Sequence, residues 1–368
     1  MEINFITSLP APYKLVCFED AAKRTEAFTV TFERVTSRQR RWESALEVVS
    51  FRHKVMPSGF RSWFEWLSLG LRRNSFPVYG LYSVPGAVVA VFLNILLRTK
   101  YAIWTSSRLS DWRGGNPMVH RLKVVIFKHA SVVFVPGSQA RRYAESLGAR
   151  SVFVTPNCID IDAFEKDLER ARRDSLDSNL DTGRLNAIFV GRLSREKDVG
   201  RILLALSRLR EEVRGKIDVR IVGFGPEEGQ LKALRERLGL GGSVAFVGYK
   251  EGVDLAKYYV WADVLLLPSL SEPWGLVVNE ALQAGVVPVV SNRVGCIPEL
   301  VIECKTGFIF EAENDVSLAS VLERLVENKR SLDEMKAFGR KLIQRFTPQC
   351  FNDGLFNGIN SVLRQDKD

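Results

Sequence analysis

The sequence predicts an α/β fold built from parallel sheets and split into two domains. Short continuous apolar runs recur along it, such as Val264–Leu267 and Val287–Val290, the composition of strands buried on both faces of a parallel sheet. Glycine, proline and serine close such runs and helical patterns follow them, which is the alternation of βα units. At 368 residues the chain is long enough for two domains with full cores.

In chain order, Met1–Ser8 reads as a first strand through Ile3, Phe5 and Ile6, and Leu9–Tyr13, containing Pro10, as a turn at its carboxyl end. That end faces the ligand in an open α/β sheet. No glycine-rich dinucleotide loop follows, which argues against a nicotinamide enzyme. FTVTFERVT and the alternation around Ala45–Phe51 predict strands, separated by Arg38, Arg40 and Arg41. Residues 52–73 mix Arg52, Lys54, Arg61, Arg72 and Arg73 with Phe60, Trp63, Phe64, Trp66, Leu67 and Leu71. Two readings stand side by side: an amphipathic helix at a membrane interface, or a core-facing helix with basic ends. Val78–Leu97 has the length of a membrane span, but Pro77, Gly80, Pro85 and Gly86 divide it into a strand, a turn and a helix opening near Pro85. Tyr101–Thr105 is a further buried strand with a polar loop, Ser106–Asn116, after it. His129–Pro136 reads as a strand, and Ser138 as the N-cap of the helix Gln139–Leu147.

Phe164–Arg184 is charged and lacks a core pattern, so it reads as a helix and linker at the domain boundary. Leu185–Val190 restarts a strand, followed by Gly191 to Lys197. Asp218–Val222 is closed by Gly223-Phe224-Gly225-Pro226 before a helix, and Val244–Val247 by Gly248-Tyr249-Lys250. The stretch VLLLPSLSEPWGLVVNEALQ then gives a buried strand, a polar turn and a helix whose first-turn N–H groups are unpaired, a ready site for an anion. Glu272 and Glu280 flank that turn. After the strand Val287–Val290, Pro298 to Leu300 opens a short helix; Leu318–Glu327 and Leu332–Phe346 are amphipathic helices, and Pro348–Leu363 is the last one. The expected domains are 1–165, 166–346 and a C-terminal segment, 347–368, crossing back to the first.

The charge is uneven. Residues 1–165 carry 22 Lys and Arg against 13 Asp and Glu, and residues 166–368 carry 30 against 30, so the first half holds all of the net +9. A basic half points to an anionic membrane surface, an acidic substrate or nucleic acid, and no recognition motif supports nucleic acid. The five cysteines are scattered, without a C-x-x-C pair, so neither a disulfide framework nor a zinc site is indicated and a reducing cytoplasm is expected. MEINFITSLPAPYK lacks the basic start and long apolar run of a secretory signal.

Residues 271–295, SEPWGLVVNEALQAGVVPVVSNRVG, closely resemble the donor-site segment of retaining nucleotide-sugar glycosyltransferases of the family-4, or group 1, type. Gly191-Arg192-Leu193-Ser194-Arg195-Glu196-Lys197 resembles that family's G-R-L-x-x-x-K loop. SVFVTPNCID at 151–160 resembles its P-N-G-hydrophobic-D segment, with Cys158 in the glycine's place. The similarity is dense over 152–346 and thin over 1–150. It implies two facing Rossmann-like domains with a deep interdomain cleft, the GT-B architecture. It further implies that Glu272 contacts the transferred sugar, that the amides of Gly275, Leu276 and Val277 hold phosphate or sugar oxygens, and that Glu280 takes the ribose hydroxyls. Arg192 and Lys197 would clamp the diphosphate. Gly191, Gly223 and Gly225 would approach the donor closely, and the turn at Tyr249 would meet the base. Pro10, Tyr13, Ser107 and Asp111 are candidates for the acceptor side. The histidine that many members carry near the reacting sugar has no counterpart in the loop 106–116.

The implied activity is transfer of a sugar from a nucleotide-diphosphate sugar to an acceptor hydroxyl with retention, in polysaccharide or glycolipid assembly. No cofactor or metal is expected, the nucleotide sugar being a co-substrate. The acceptor is a sugar or lipid-linked compound, with peripheral contact to an anionic membrane at its cytoplasmic face. A nucleotide-sugar-binding scaffold, or a hydrolase or epimerase on nucleotide sugars, are the alternatives.

Overall fold

The computed structural model describes residues 1–37, 40–41, 46–111, 116–175 and 183–364. They form two compact units, one of Met1–Cys158 with Thr347–Asp368 and one of Ile159–Phe346.

The first unit holds β1 (Glu2–Thr7), β2 (Phe28–Phe32), a small hairpin of β3 (Thr36–Ser37) and β4 (Arg40–Arg41), β5 (Arg52–Val55), β6 (Ser75–Tyr79), β7 (Ala102–Trp104), β8 (Val132–Val135) and β9 (Val152–Val154). Apart from the hairpin these strands make one parallel sheet, in the order β5-β2-β1-β6-β7-β8-β9. Because side chains alternate along a strand, Phe5, Val78 and Trp104 face one core while Ile6, Tyr79 and Ile103 face another. The first core is closed by Phe18 and by Phe351, Leu355 and Ile359 of the last helix, Pro348–Arg364. The second is closed by Trp66, Leu69 and Ala90.

The second unit holds β10 (Leu185–Val190), β11 (Ile217–Val222), β12 (Val244–Gly248), β13 (Val264–Leu267), β14 (Val287–Ser291) and β15 (Phe308–Phe310). They pair in parallel in the order β12-β11-β10-β13-β14-β15. Counted within the unit, that order is 3-2-1-4-5-6, the doubly wound Rossmann arrangement, whose direction reverses between β10 and β13. Both units are thus Rossmann-like.

Several local expectations are corrected. Arg52–Val55 is an edge strand paired with β2, and the helix starts only at Arg61. All four residues of β5 are exposed, so no alternation marks them as a strand. Residues 46–51 form no strand, and 42–45 lie outside the described residues. His129 ends the helix Pro117–His129, with β8 starting at Val132, and Gly137 rather than Ser138 is the N-cap of Ser138–Ser146. Pro298 to Leu300 is a turn. The apolar run at 78–97 folds as a βα unit, β6 and the helix Pro85–Leu96. Among the described residues no helix is long and apolar enough to cross a membrane.

Candidate active site

The reversal of the second sheet gathers the expected donor residues. In a doubly wound sheet the loops leaving two neighbouring strands in opposite directions open a crevice at their carboxyl ends. Here those loops follow β10 and β13. The first carries Gly191, Arg192 and Lys197, the second Glu272. The Lys197 ammonium forms an ion pair with the Glu272 carboxylate across the reversal, with side-chain exposures of 21% and 13%. Leu270 N–H donates to the Glu196 carbonyl at 2.8 Å and fixes the two loops to each other. Arg192 lies on the same loop with its side chain exposed.

Gly275 begins the helix Leu276–Ala284 with φ +97°, a conformation that side chains disfavour. A Cβ there would also press within 3.3 Å of Leu267 and Val294. The first backbone bond of the helix runs from Val278 N–H to Gly275 O at 2.9 Å, so the amides of Leu276 and Val277 precede it as orphan donors of a helix N-terminus. Glu280 lies further along the helix, half-buried, and accepts a hydrogen bond from the Tyr259 hydroxyl at 2.6 Å. Burial pushes its pKa up to about 7, with the Tyr259 phenol pulling it down. Tyr259 is fully buried and stands edge-on to Phe164, ring centroids 5.6 Å apart.

Gly191 and Gly223 are held by backbone packing between their loops. Gly191 N–H donates to Val222 O and Gly223 N–H to Gly248 O, at 3.0 and 2.9 Å. A Cβ on Gly223, at φ +139°, would fall 1.8 Å from the Gly191 carbonyl oxygen. Residue 223 is glycine because the loops after β10 and β11 press backbone against backbone. Gly225 is likewise tight against Leu193 O. Tyr249, 59% exposed, stacks edge-on with the exposed Phe224 at 5.8 Å and donates to Glu251 at 2.7 Å. The two aromatics make an open platform at the carboxyl ends of β11 and β12.

Residues 171–342 match the family model described as "Glycosyl transferases group 1". This segment is a group 1 glycosyl transferase domain. The chain is 29% identical over 221 residues to the D-inositol 3-phosphate glycosyltransferase of Segniliparus rotundus, covering 58% of this chain and 48% of that one. It is 26% identical over 251 residues to the glycogen synthase of Mycobacterium tuberculosis, covering 67% and 58%. It therefore spans about half the length of these curated relatives. Anabaena HepE, solved in complex with UDP, superposes with a TM-score of 0.78 at 19% identity, over 98% of this chain and 100% of that one. Its fold is that of the GT-B glycosyltransferases.

Outside the transferase domain, the expected acceptor-side residues lie after β1 and β7. Pro10 is buried in the loop after β1, while Tyr13, half-buried, lies in the first turn of the helix Pro12–Arg24 and not in the turn expected to run to it; the Ser107 hydroxyl lies 3.2 Å from that of Tyr82. Asp111 ends a short turn, Leu109–Asp111, and its side chain lies outside the described residues. Sequence reasoning missed Lys14 in the same place. Its buried ammonium donates to Thr7 Oγ1 at 3.2 Å and sits 4.2 Å above the Trp104 ring, while Trp104 donates to Thr155 at 3.0 Å. Burial lowers the Lys14 pKa to about 8. Tyr259 and Lys14 were missed because each lies within a helix, Gly252–Trp261 and Pro12–Arg24, whose local pattern shows no site, and Phe224 because an apolar side chain in its loop carries no sign of a ligand contact.

Proposed function

We propose that the protein transfers a sugar, with retention, from a nucleotide-diphosphate sugar to an acceptor hydroxyl. The observation that carries this is the Lys197–Glu272 pair at the sheet reversal, beside the open helix end at Leu276 and the Tyr259–Glu280 carboxyl. A diphosphate entering there meets Lys197, Arg192 and the Leu276 and Val277 amides, which supply positive charge to the leaving group as the glycosidic bond breaks. Glu272 then faces the sugar, Glu280 accepts the ribose hydroxyls, and the Phe224–Tyr249 platform takes the base. The leaving phosphate accepts the proton of the acceptor hydroxyl, so positioning and charge stabilisation provide most of the catalysis. The UDP bound by HepE makes UDP the first nucleotide to test. The first unit, with the basic excess, binds the acceptor, a sugar or lipid-linked compound at the cytoplasmic face of a membrane, in polysaccharide or glycolipid assembly.

The test combines a thermal-shift screen of UDP, GDP, ADP, CMP and dTDP with turnover of the matching nucleotide sugars on a panel of sugar and lipid-linked acceptors. The expected result is one diphosphate that raises the midpoint in wild type and much less in Glu280→Ala, with transfer abolished in Glu272→Gln. Binding without turnover on any acceptor points to a scaffold. Sugar release without an acceptor points to a hydrolase.

A further inference from the structure

The helix Arg61–Leu71 is apolar on two sides. Trp66, Leu69 and Gly70 face the second core of the first unit. Gly70 lies against Ala90 and Leu93, and Trp66 against Gly86, of the neighbouring helix Pro85–Leu96. The other side is left to solvent: Phe60 is 75% exposed, Phe64 62%, Leu71 53%, Trp63 40% and Leu67 37%. These five fall at i, i+3, i+4, i+7 and i+11, a single stripe along the helix, and Phe60 shares helical backbone angles. Phe60 and Phe64 stand edge-on at 5.5 Å. A stripe of this kind on an otherwise charged surface marks a contact with something apolar.

Charge says what that is. Arg61 and Arg72 lie about three turns apart on one flank of the stripe, with Glu65 the one carboxylate between them, and Lys54 and Arg73 are exposed near its two ends in sequence, so the stripe's surroundings are cationic on balance. Among the described residues none of the four is in an ion pair with a carboxylate. They sit in the half of the chain that holds all of the net positive charge. A protein groove would cover the stripe but gives no reason for this flank; an anionic lipid surface meets both, taking the aromatics below the headgroups and the arginines among them. We propose that this stripe is the face by which the first unit docks on an anionic lipid surface. The proposal rests on the transferase reading only in supplying its purpose, delivery of the domain to a lipid-linked acceptor.

The test is flotation of the full chain with vesicles of phosphatidylcholine alone and with vesicles containing phosphatidylglycerol. Wild type is expected to float with the anionic vesicles at low salt and to be released by high salt. Phe64→Ser combined with Leu67→Ser, both exposed and outside the core, removes flotation, and Arg61→Glu with Arg72→Glu reduces it to the level of neutral vesicles. Absence of wild-type flotation at low salt, or flotation unchanged by the serine pair, overturns the proposal. A wild-type dimer that the serine pair splits, without flotation, overturns it in favour of a second copy of the chain. A nucleotide thermal shift on the same samples separates the two readings: a shift without flotation sinks the lipid surface alone, and flotation without a shift leaves the docking face standing and sinks the donor site.

Discussion

Lys197 and Glu272 are joined across the sheet reversal although 75 residues separate them in sequence. The pair leaves each charge neutralised by the other, and on the proposed reading the cation meets the diphosphate and the carboxylate the sugar only once a donor arrives. An ammonium bound to a carboxylate has less attraction left for phosphate, so the two side chains compete for one role.

Removing the carboxylate should therefore free the lysine. Glu272→Gln is expected to bind UDP at least as tightly as wild type while losing transfer, and Lys197→Ala to weaken UDP roughly tenfold or more, the loss of one charge-assisted hydrogen bond. Titration calorimetry with UDP measures both. Weaker binding by Glu272→Gln would show that the carboxylate serves nucleotide binding and not sugar transfer.

The buried strands and the loops after β10 and β13 were legible because buried parallel strands write themselves as apolar runs, and those loops carry the motif; the order of the strands in each sheet was not. Burial partners were not. Glu280 reads equally as a helix-flank glutamate; its burial, which raises its pKa, and the Tyr259 hydrogen bond, which opposes that rise, are set by packing alone. β5 is exposed along its whole length, so its pairing with β2 leaves no trace in the residues. Cys158 fills a glycine's place without strain, since its φ is not among the positive ones, and its thiol packs 3.3 Å from that of the buried Cys17. That pairing joins positions 141 residues apart, beyond any local pattern.

Lys14 gives a stability prediction. Its pKa falls from the ordinary 10.5 to about 8, chiefly through burial. Below about pH 8 the folded protein carries the full cost of a buried ammonium, about 3 kcal/mol. Between the two values the unfolded chain holds a proton that the folded one has released, so this contribution rises with pH. Urea midpoints of wild type and Lys14→Met should therefore draw apart in favour of the variant at neutral pH and shift toward wild type as the pH approaches about 10. A pH-independent difference would mean that the ammonium is hydrated.

Two glycines of the transferase domain should respond oppositely to alanine. At Gly223 a Cβ collides with the Gly191 carbonyl at positive φ, so Gly223→Ala is expected to cost more than about 4 kcal/mol and to unfold the domain. At Gly229, in the helix Glu228–Arg237, a Cβ meets nothing within 4 Å, and alanine should add roughly 0.5–1 kcal/mol of stability. Thermal midpoints decide both.

Glu280 makes donor binding depend on pH near neutrality. With its pKa raised to about 7, the carboxyl is substantially protonated below that value and can accept fewer hydrogen bonds from ribose hydroxyls. UDP affinity should rise as the pH passes upward through about 7 and level off above it. Glu280→Gln, which cannot ionise, should flatten the profile. Tyr259→Phe removes a hydrogen bond that favours the carboxylate, so its profile should keep the same shape with the midpoint moved to higher pH. UDP dissociation constants across this range, for the three proteins, distinguish the outcomes: a Tyr259→Phe profile that coincides with wild type would leave the phenol a packing role, and one that flattens like Glu280→Gln would mean that the carboxyl has left the site.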